Sequence, residues 1–155
     1  MKNARGWLAV DSDAFADGEK SEELLHALAP TLELVTCWDL ALDVGGHYGR
    51  WAVPLAERFG RVISFEGRED VYECLRANTR AHENIDARHL AVGDRFDEVD
   101  IRIVGTAADG NVGVSTYAGS GSTKMVPIDS LDLEGVGLNK LDIEGYELFA
   151  LRGAE

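Results

Sequence analysis

The chain has 155 residues, 45% apolar and 28% charged, with 28 acids against 15 bases for a formal charge of −13. That length suits one domain with one core, and the excess of acid argues against binding a phosphate backbone, so nucleic acid is not an expected partner. No stretch approaches the roughly 20 apolar residues of a membrane span, and the first residues lack the apolar core of a signal peptide; the cytoplasm is the expected location. Cys37 and Cys74 have neither Cys-x-x-Cys nor metal spacing and read as two reduced thiols.

Residues 1–38 read as a lead-in. Ser21 can cap a helix with Glu22 and Glu23 in its first turn and Leu24, Leu25 and Leu28 as its apolar positions, closed by Pro30. A core expected over 39–155 starts with Asp39-Leu40-Ala41-Leu42-Asp43-Val44-Gly45-Gly46-His47-Tyr48-Gly49. Leu40 to Val44 suits a strand buried on both faces. Gly45 and Gly46 remove side chains where the backbone turns and a ligand comes close, and Gly49 lets the next helix pack on the strand. Free N–H groups are then expected to face a crevice at the carboxyl end of the sheet, a place for a nucleotide-like ligand.

The next helix carries Trp51, Leu55 and Phe59 on one stripe, with Pro54 implying a kink or a late start. Arg61 to Phe65 is a second strand with Glu66 at its carboxyl end. Glu69 to about Ala81 is helical, with Val71, Tyr72, Leu75 and Thr79 on one face. Ala87 to Val92 reads as a third strand. This alternation predicts a parallel sheet with right-handed crossovers. Val99, Ile101 and Ile103, then Val112, Val114 and Thr116, alternate around Asp109-Gly110-Asn111 and predict an inserted β-hairpin. Val126 to Leu131 reads as a short strand, Leu138 to Ile143 as the fourth parallel strand, and Tyr146 to Arg152 as a helix.

Gly45, Gly46 and Gly49 do not make the Gly-x-Gly-x-x-Gly of dinucleotide enzymes, which disfavours nicotinamide-dependent reduction. An acid two residues before the first glycine, with Glu66 ending the next strand about 20 residues further on, is similar to the pattern of S-adenosylmethionine methyltransferases. Several stretches in order then resemble the FkbM family of those enzymes. They are Asp43 to Gly49, Phe65-Glu66, Ala91-Val92-Gly93-Asp94, Gly110-Asn111-Val112-Gly113, Ile128-Asp129-Ser130-Leu131, and Lys140-Leu141-Asp142-Ile143-Glu144-Gly145-Tyr146-Glu147 running on to Leu151-Arg152-Gly153-Ala154.

The resemblance implies a Rossmann-like class I methyltransferase sheet with helices on both faces, partial because its C-terminal strands are absent, and S-adenosylmethionine as cofactor. It implies that the Gly45, Gly46, His47 and Gly49 turn, with Asp43 before it, takes the methionine end. Glu66 would take the ribose, and the segment from His89 through Ala91 to Asp94 the adenine. Family members are thought to methylate hydroxyls of sugars, polyketides or related metabolites, so the expected partner is a small-molecule or sugar acceptor. Two residues depart from the pattern: Gly67 stands where proline is usual, and Asn139 puts an amide in the fourth strand.

Methyl transfer to a hydroxyl needs in-line placement and a nearby base. Asp142 and Glu144 would point to opposite sides of an extended strand, which favours Asp142 beside the methyl group and Glu144 at the mouth or capping the next helix. Both also read as plain capping acids of a strand-to-helix turn. His47 is a further candidate base, or simply a hydrogen-bonding turn residue. No metal site is expected; Asp129, Asp132 and Glu134 read as a solvated face. The missing strands would leave the fourth strand's edge open. Either the chain is a fragment or a partner covers that edge, with a homodimer as the expectation. The competing expectation is a truncated, non-catalytic nucleotide-binding half-domain that acts only within an oligomer or is a fragment.

Overall fold

A computed structural model describes residues 6–10, 28–104, 113–118 and 121–155. In chain order the elements are β1 (Leu40–Val44), α1 (Ala52–Ala56), β2 (Arg61–Glu66), α2 (Glu69–Thr79), β3 (Ile85–His89), β4 (Ala91–Val92), β5 (Asp97–Val104), β6 (Gly113–Ala118) and β7 (Thr123–Val126). A 3-10 turn (Ile128–Leu131), β8 (Val136–Leu141) and α3 (Glu147–Arg152) complete them.

All five residues of β1 are buried, which suits a run with no alternation of apolar and polar positions. It pairs in parallel with β2 on one side and β8 on the other, and β2 pairs in parallel with β3. The order β3-β2-β1-β8 makes the chain grow outward from β1 in one direction and then return to its other side. The carboxyl ends of β1 and β8 therefore form a topological switch point, where open α/β sheets hold ligands.

Strand alternation sorts the core into two layers. Leu40, Leu42 and Val44 with Ile63 and Phe65 face Val92, Ile128 and Ala150 of α3, while Ala41 and Val62 face Leu28, Ala52, Leu55 and Phe59. Helices thus cover both faces of a Rossmann-like sheet, as expected. α1 starts late: Pro54 sits in its first turn, where a missing N–H costs no intrahelical bond.

The expected hairpin is present as the antiparallel β5–β6 pair, and it belongs to a second sheet of order β4-β7-β5-β6. Its turn, Asp109-Gly110-Asn111, lies outside the described residues, as does the lead-in helix before residue 28. The helical residues 28–32 run through Pro30, which therefore does not close that helix.

Three boundaries differ from the sequence expectation. The third strand divides at Leu90, whose N–H bonds back to Arg88 O at 3.0 Å; β3 stays in the first sheet, and Ala91 and Val92 pair with Met125 and Val126 in the second. The strand expected over Val126 to Leu131 ends at Val126. Pro127 leads into the 3-10 turn, where the Ser130 hydroxyl donates to Pro127 O at 2.6 Å, a local bond that competes with strand pairing. β8 runs Val136–Leu141 rather than to Ile143, because the Glu147 carboxylate draws the N–H groups of Ile143 and Gly145 into a turn, each at 3.0 Å. Asn139 is exposed, so its amide meets water. Both cysteines are free thiols.

Candidate functional site at the switch point

The turn after β1 is held by close backbone contacts. Gly45 has φ +81, and a Cβ there would stand 2.0 Å from the carbonyl oxygen of Asp142; a Cβ on Gly46 would stand 2.1 Å from Ser64 Oγ. Only glycine permits the β1 and β8 ends to approach this closely. Gly49, at φ +93, packs over Leu75 and Thr79 of α2. The amides of this turn are spent within the protein: Gly45 and Gly46 both donate to Phe65 O, at 2.9 and 2.8 Å, and His47 donates to Glu66 Oε2 at 2.9 Å. The expectation of a row of free N–H groups therefore does not extend to these three. α1 begins only at Ala52, beyond the turn, so no helix terminus stands at Gly45 and Gly46.

Asp43 is fully buried. Its Oδ2 accepts a 2.8 Å hydrogen bond from the Ser64 hydroxyl, and its Oδ1 is 3.0 Å from Lys140 Nζ. The same ammonium donates to Gly45 O at 2.8 Å and to Val44 O at 3.3 Å. This places Asp43 beneath the turn rather than on its surface. Neither Lys140 nor Ser64 carries a signal in the sequence that points to this role.

Glu66, at the end of β2, accepts one backbone N–H on each carboxylate oxygen, from His47 on Oε2 and from Arg68 on Oε1, both at 2.9 Å. Burial pushes its pKa up, against the opposing pull of those N–H groups and of the His47 and Arg68 charges. The residue as a whole is half-buried. A carboxylate offers about four lone-pair positions, so two stay available for the hydroxyls of a diol.

Across the crevice, Asp142 and Glu144 lie in the turn after β8, and both are exposed. Asp142 N–H closes the sheet on Val44 O at 3.0 Å. Since the strand has already ended, the opposite pointing expected of an extended segment does not govern them. His47 and Glu144 have φ +48 and +53, a left-handed conformation that costs a non-glycine residue on the order of 1–2 kcal/mol. The strain therefore sits in both turns at the switch point. The cap expected of Glu144 is not made, since no side chain caps α3; Glu147 instead accepts the Ile143 and Gly145 N–H groups of the turn, and bonds of this kind outweigh burial and lower its pKa. A Cβ at Gly145 would meet nothing within 4 Å, so that turn opens on space. The His47 ring stands 3.9 Å from that of Tyr48.

The remaining site residues lie past Glu66. His89 stacks with Tyr72 at 5.1 Å, and its Nε2 is 3.0 Å from Gly67 O, which also accepts the Thr123 hydroxyl at 2.8 Å. Gly67 sits in a crowded place: a Cβ would stand 2.2 Å from Ile101 Cδ1, the mobile end of that side chain, and 3.6 Å from the Ala91 methyl. Asp94 instead pairs with Arg95 at 3.0 Å. Beside Gly67 an open cleft of about 510 Å³ runs between Arg68 and Asp70 on one wall and Val99, Ile101 and Thr123 on the other. Among the described residues no group of His, Cys, Asp and Glu is arranged to hold a metal ion, and no helix is long and apolar enough to cross a membrane.

No known family profile matches the chain, and no curated protein does. Among solved structures it is similar to a methyltransferase FkbM from Methylobacillus flagellatus KT, at 21% identity over 75% of this chain and 28% of that one, with a TM-score of 0.49. It is also similar to Haemonchus contortus phosphoethanolamine N-methyltransferase 1, solved with phosphoethanolamine and S-adenosylhomocysteine, at 17% identity over 55% and 21% of the two chains and a TM-score of 0.39. The chain spans less than a third of the length of either protein. Neither similarity is close enough to assign an activity.

Proposed function

We propose that the chain is a nucleotide-cofactor domain whose ligand sits at the β1/β8 switch point. More particularly, we read it as the cofactor-binding part of an S-adenosylmethionine-dependent methyltransferase of the FkbM type that acts on a hydroxyl of a small molecule or sugar. The observation that carries this is the Glu66 carboxylate, locked at the end of β2 by the His47 and Arg68 N–H groups with acceptor positions to spare, beside a glycine turn that only glycine fits. In this reading Glu66 would take the ribose hydroxyls, the Gly45–Gly49 turn would lie against the amino-acid end, and the stretch from His89 through Ala91 to Asp94 would take the base.

Bound there, S-adenosylmethionine supplies a methyl group activated on a cationic sulfur. Asp142 and Glu144 give this end of the crevice two exposed carboxylates, whose charge complements such a cation. Asp142, tied to Val44 O through its own N–H, is the better placed to accept a proton from a hydroxyl beside it, and His47 is the second candidate. Buried beneath the turn, Asp43 supports it from below.

Titration with S-adenosylhomocysteine tests this reading. The native chain is expected to bind in the micromolar range, and Glu66→Ala to weaken binding about 10- to 100-fold, the equivalent of hydrogen bonds to a charged group. A folded chain that gives no heat, or a Glu66→Ala variant that binds as the native chain does, refutes it.

A second reading, in which the domain works only within an oligomer, is favoured by the edge of β8. No strand among the described residues pairs with its outer side, and Val136, Leu148 and Leu151 are exposed nearby in sequence. Open edges recruit other chains. Sedimentation equilibrium is expected to show a dimer that Leu151→Glu converts to monomer; a native monomer at high concentration excludes it.

A further inference from the structure

The Lys140 ammonium lies almost wholly inside the protein, in contact with a carboxylate that is wholly inside, in a chain that otherwise carries a large excess of acid. An ammonium has three N–H donors, and three acceptor oxygens stand around this one: it donates hydrogen bonds to Gly45 O at 2.8 Å and Val44 O at 3.3 Å, while Asp43 Oδ1, 3.0 Å away, is an ion-pair partner that receives no hydrogen bond. The Trp51 ring covers it with a centroid 6.0 Å away. Burying a charge this completely is costly, and a pair of this kind is weak evidence of stability for its own sake. Two of the three acceptors, however, are backbone carbonyls at the point where β1 becomes the glycine turn. In register, Asp43 and Lys140 are direct cross-strand partners, so the clamp closes only when β8 is docked on β1.

We infer that Lys140 is the positioning residue of the glycine turn: its ammonium neutralises Asp43 beneath the turn and fixes the Val44 and Gly45 carbonyls, so that the ligand-binding shape of the turn depends on this one charge. The turn is also attached to β2, through the Gly45 and Gly46 N–H groups on Phe65 O and the His47 N–H on Glu66 Oε2. A bond from below on the carbonyls and from the side on the amides fixes both peptide planes. In its ligand the inference rests on the reading above; in its effect on the turn it does not.

The test uses Lys140→Met and the pair Asp43→Asn with Lys140→Met. The single change strands a buried carboxylate and risks unfolding, whereas the pair removes both charges and keeps an oxygen for the Ser64 hydroxyl. In the paired variant, amide hydrogen exchange at Gly45 and Gly46 is expected to accelerate at least 10-fold while Val62 and Ile63 exchange as in the native chain. The dissociation constant for S-adenosylhomocysteine is expected to rise at least 10-fold. Unchanged glycine exchange, or an equal rise at Gly45 and Val62 that marks general loosening, overturns the inference. So does unchanged affinity in a variant whose turn has loosened. If the native chain itself does not bind, the cofactor reading fails, and the exchange result still decides the role of Lys140.

Discussion

Replacing Gly45 by alanine probes the contact on which the switch point depends. Two costs add. The residue has φ +81, and placing an L side chain in that region costs about 1–2 kcal/mol. The new methyl would also stand 2.0 Å from the carbonyl oxygen of Asp142, more than 1 Å inside ordinary contact at about 3.3 Å, so the ends of β1 and β8 must part. Parting them sacrifices the 3.0 Å Asp142 N–H bond to Val44 O, about 1 kcal/mol, and strains the Lys140 clamp. Gly145 is the internal control: its φ is +99, but its Cβ would meet nothing within 4 Å, so alanine there incurs the conformational cost alone. Denaturant titration should place Gly45→Ala about 2–4 kcal/mol below the native chain and at least 1 kcal/mol below Gly145→Ala, or some 5–15 °C in melting temperature for a domain of this size. Equal effects at the two glycines would refute the close approach of β1 and β8.

Two further outcomes follow from buried groups. Ser64→Ala removes the hydroxyl that satisfies Asp43 Oδ2 in a fully buried setting and should cost about 1–3 kcal/mol, read as a lower denaturation midpoint. The raised pKa of Glu66 means that the folded chain holds this proton more tightly than the unfolded one. Its contribution is therefore complete below the unfolded value near 4.5 and lost as pH rises through the folded pKa. Glu147, whose pKa is lowered, contributes in the opposite sense: its stabilisation is present above the unfolded value and lost as pH falls through the folded one. The stability of the native chain relative to Glu66→Gln should thus decline on going from pH 4.5 towards neutrality. An increase over that window would contradict the placement of the carboxyl group.

The parts of this site that were legible from sequence are those in which one residue type answers one local demand. A run such as Leu40 to Val44, closed by two glycines, has few structural options, and a carboxylate ending the next strand is visible as Glu66. What sequence hid depends on pairing. Alternation along β8 cannot show that Lys140 turns inward; that follows only from its register opposite Asp43. Ala91-Val92 is too short for any period to show, so its departure from β3 into a second sheet depends on Met125 and Val126, more than 30 residues away. The turn amides differ from the expectation for the same reason: Phe65 O, on a neighbouring strand, takes two of them. Glu147 looks like an ordinary helix residue in the sequence, although its position just after Gly145 lets its carboxylate reach back to the Ile143 and Gly145 N–H groups.

The most direct test of the central claim is a structure of the chain crystallised with S-adenosylhomocysteine. Ligand density is expected at the carboxyl ends of β1 and β8, with the ribose hydroxyls on Glu66 and the amino-acid end over Gly45 to Gly49. Density confined to another surface, or an empty crevice at saturating ligand, would contradict it.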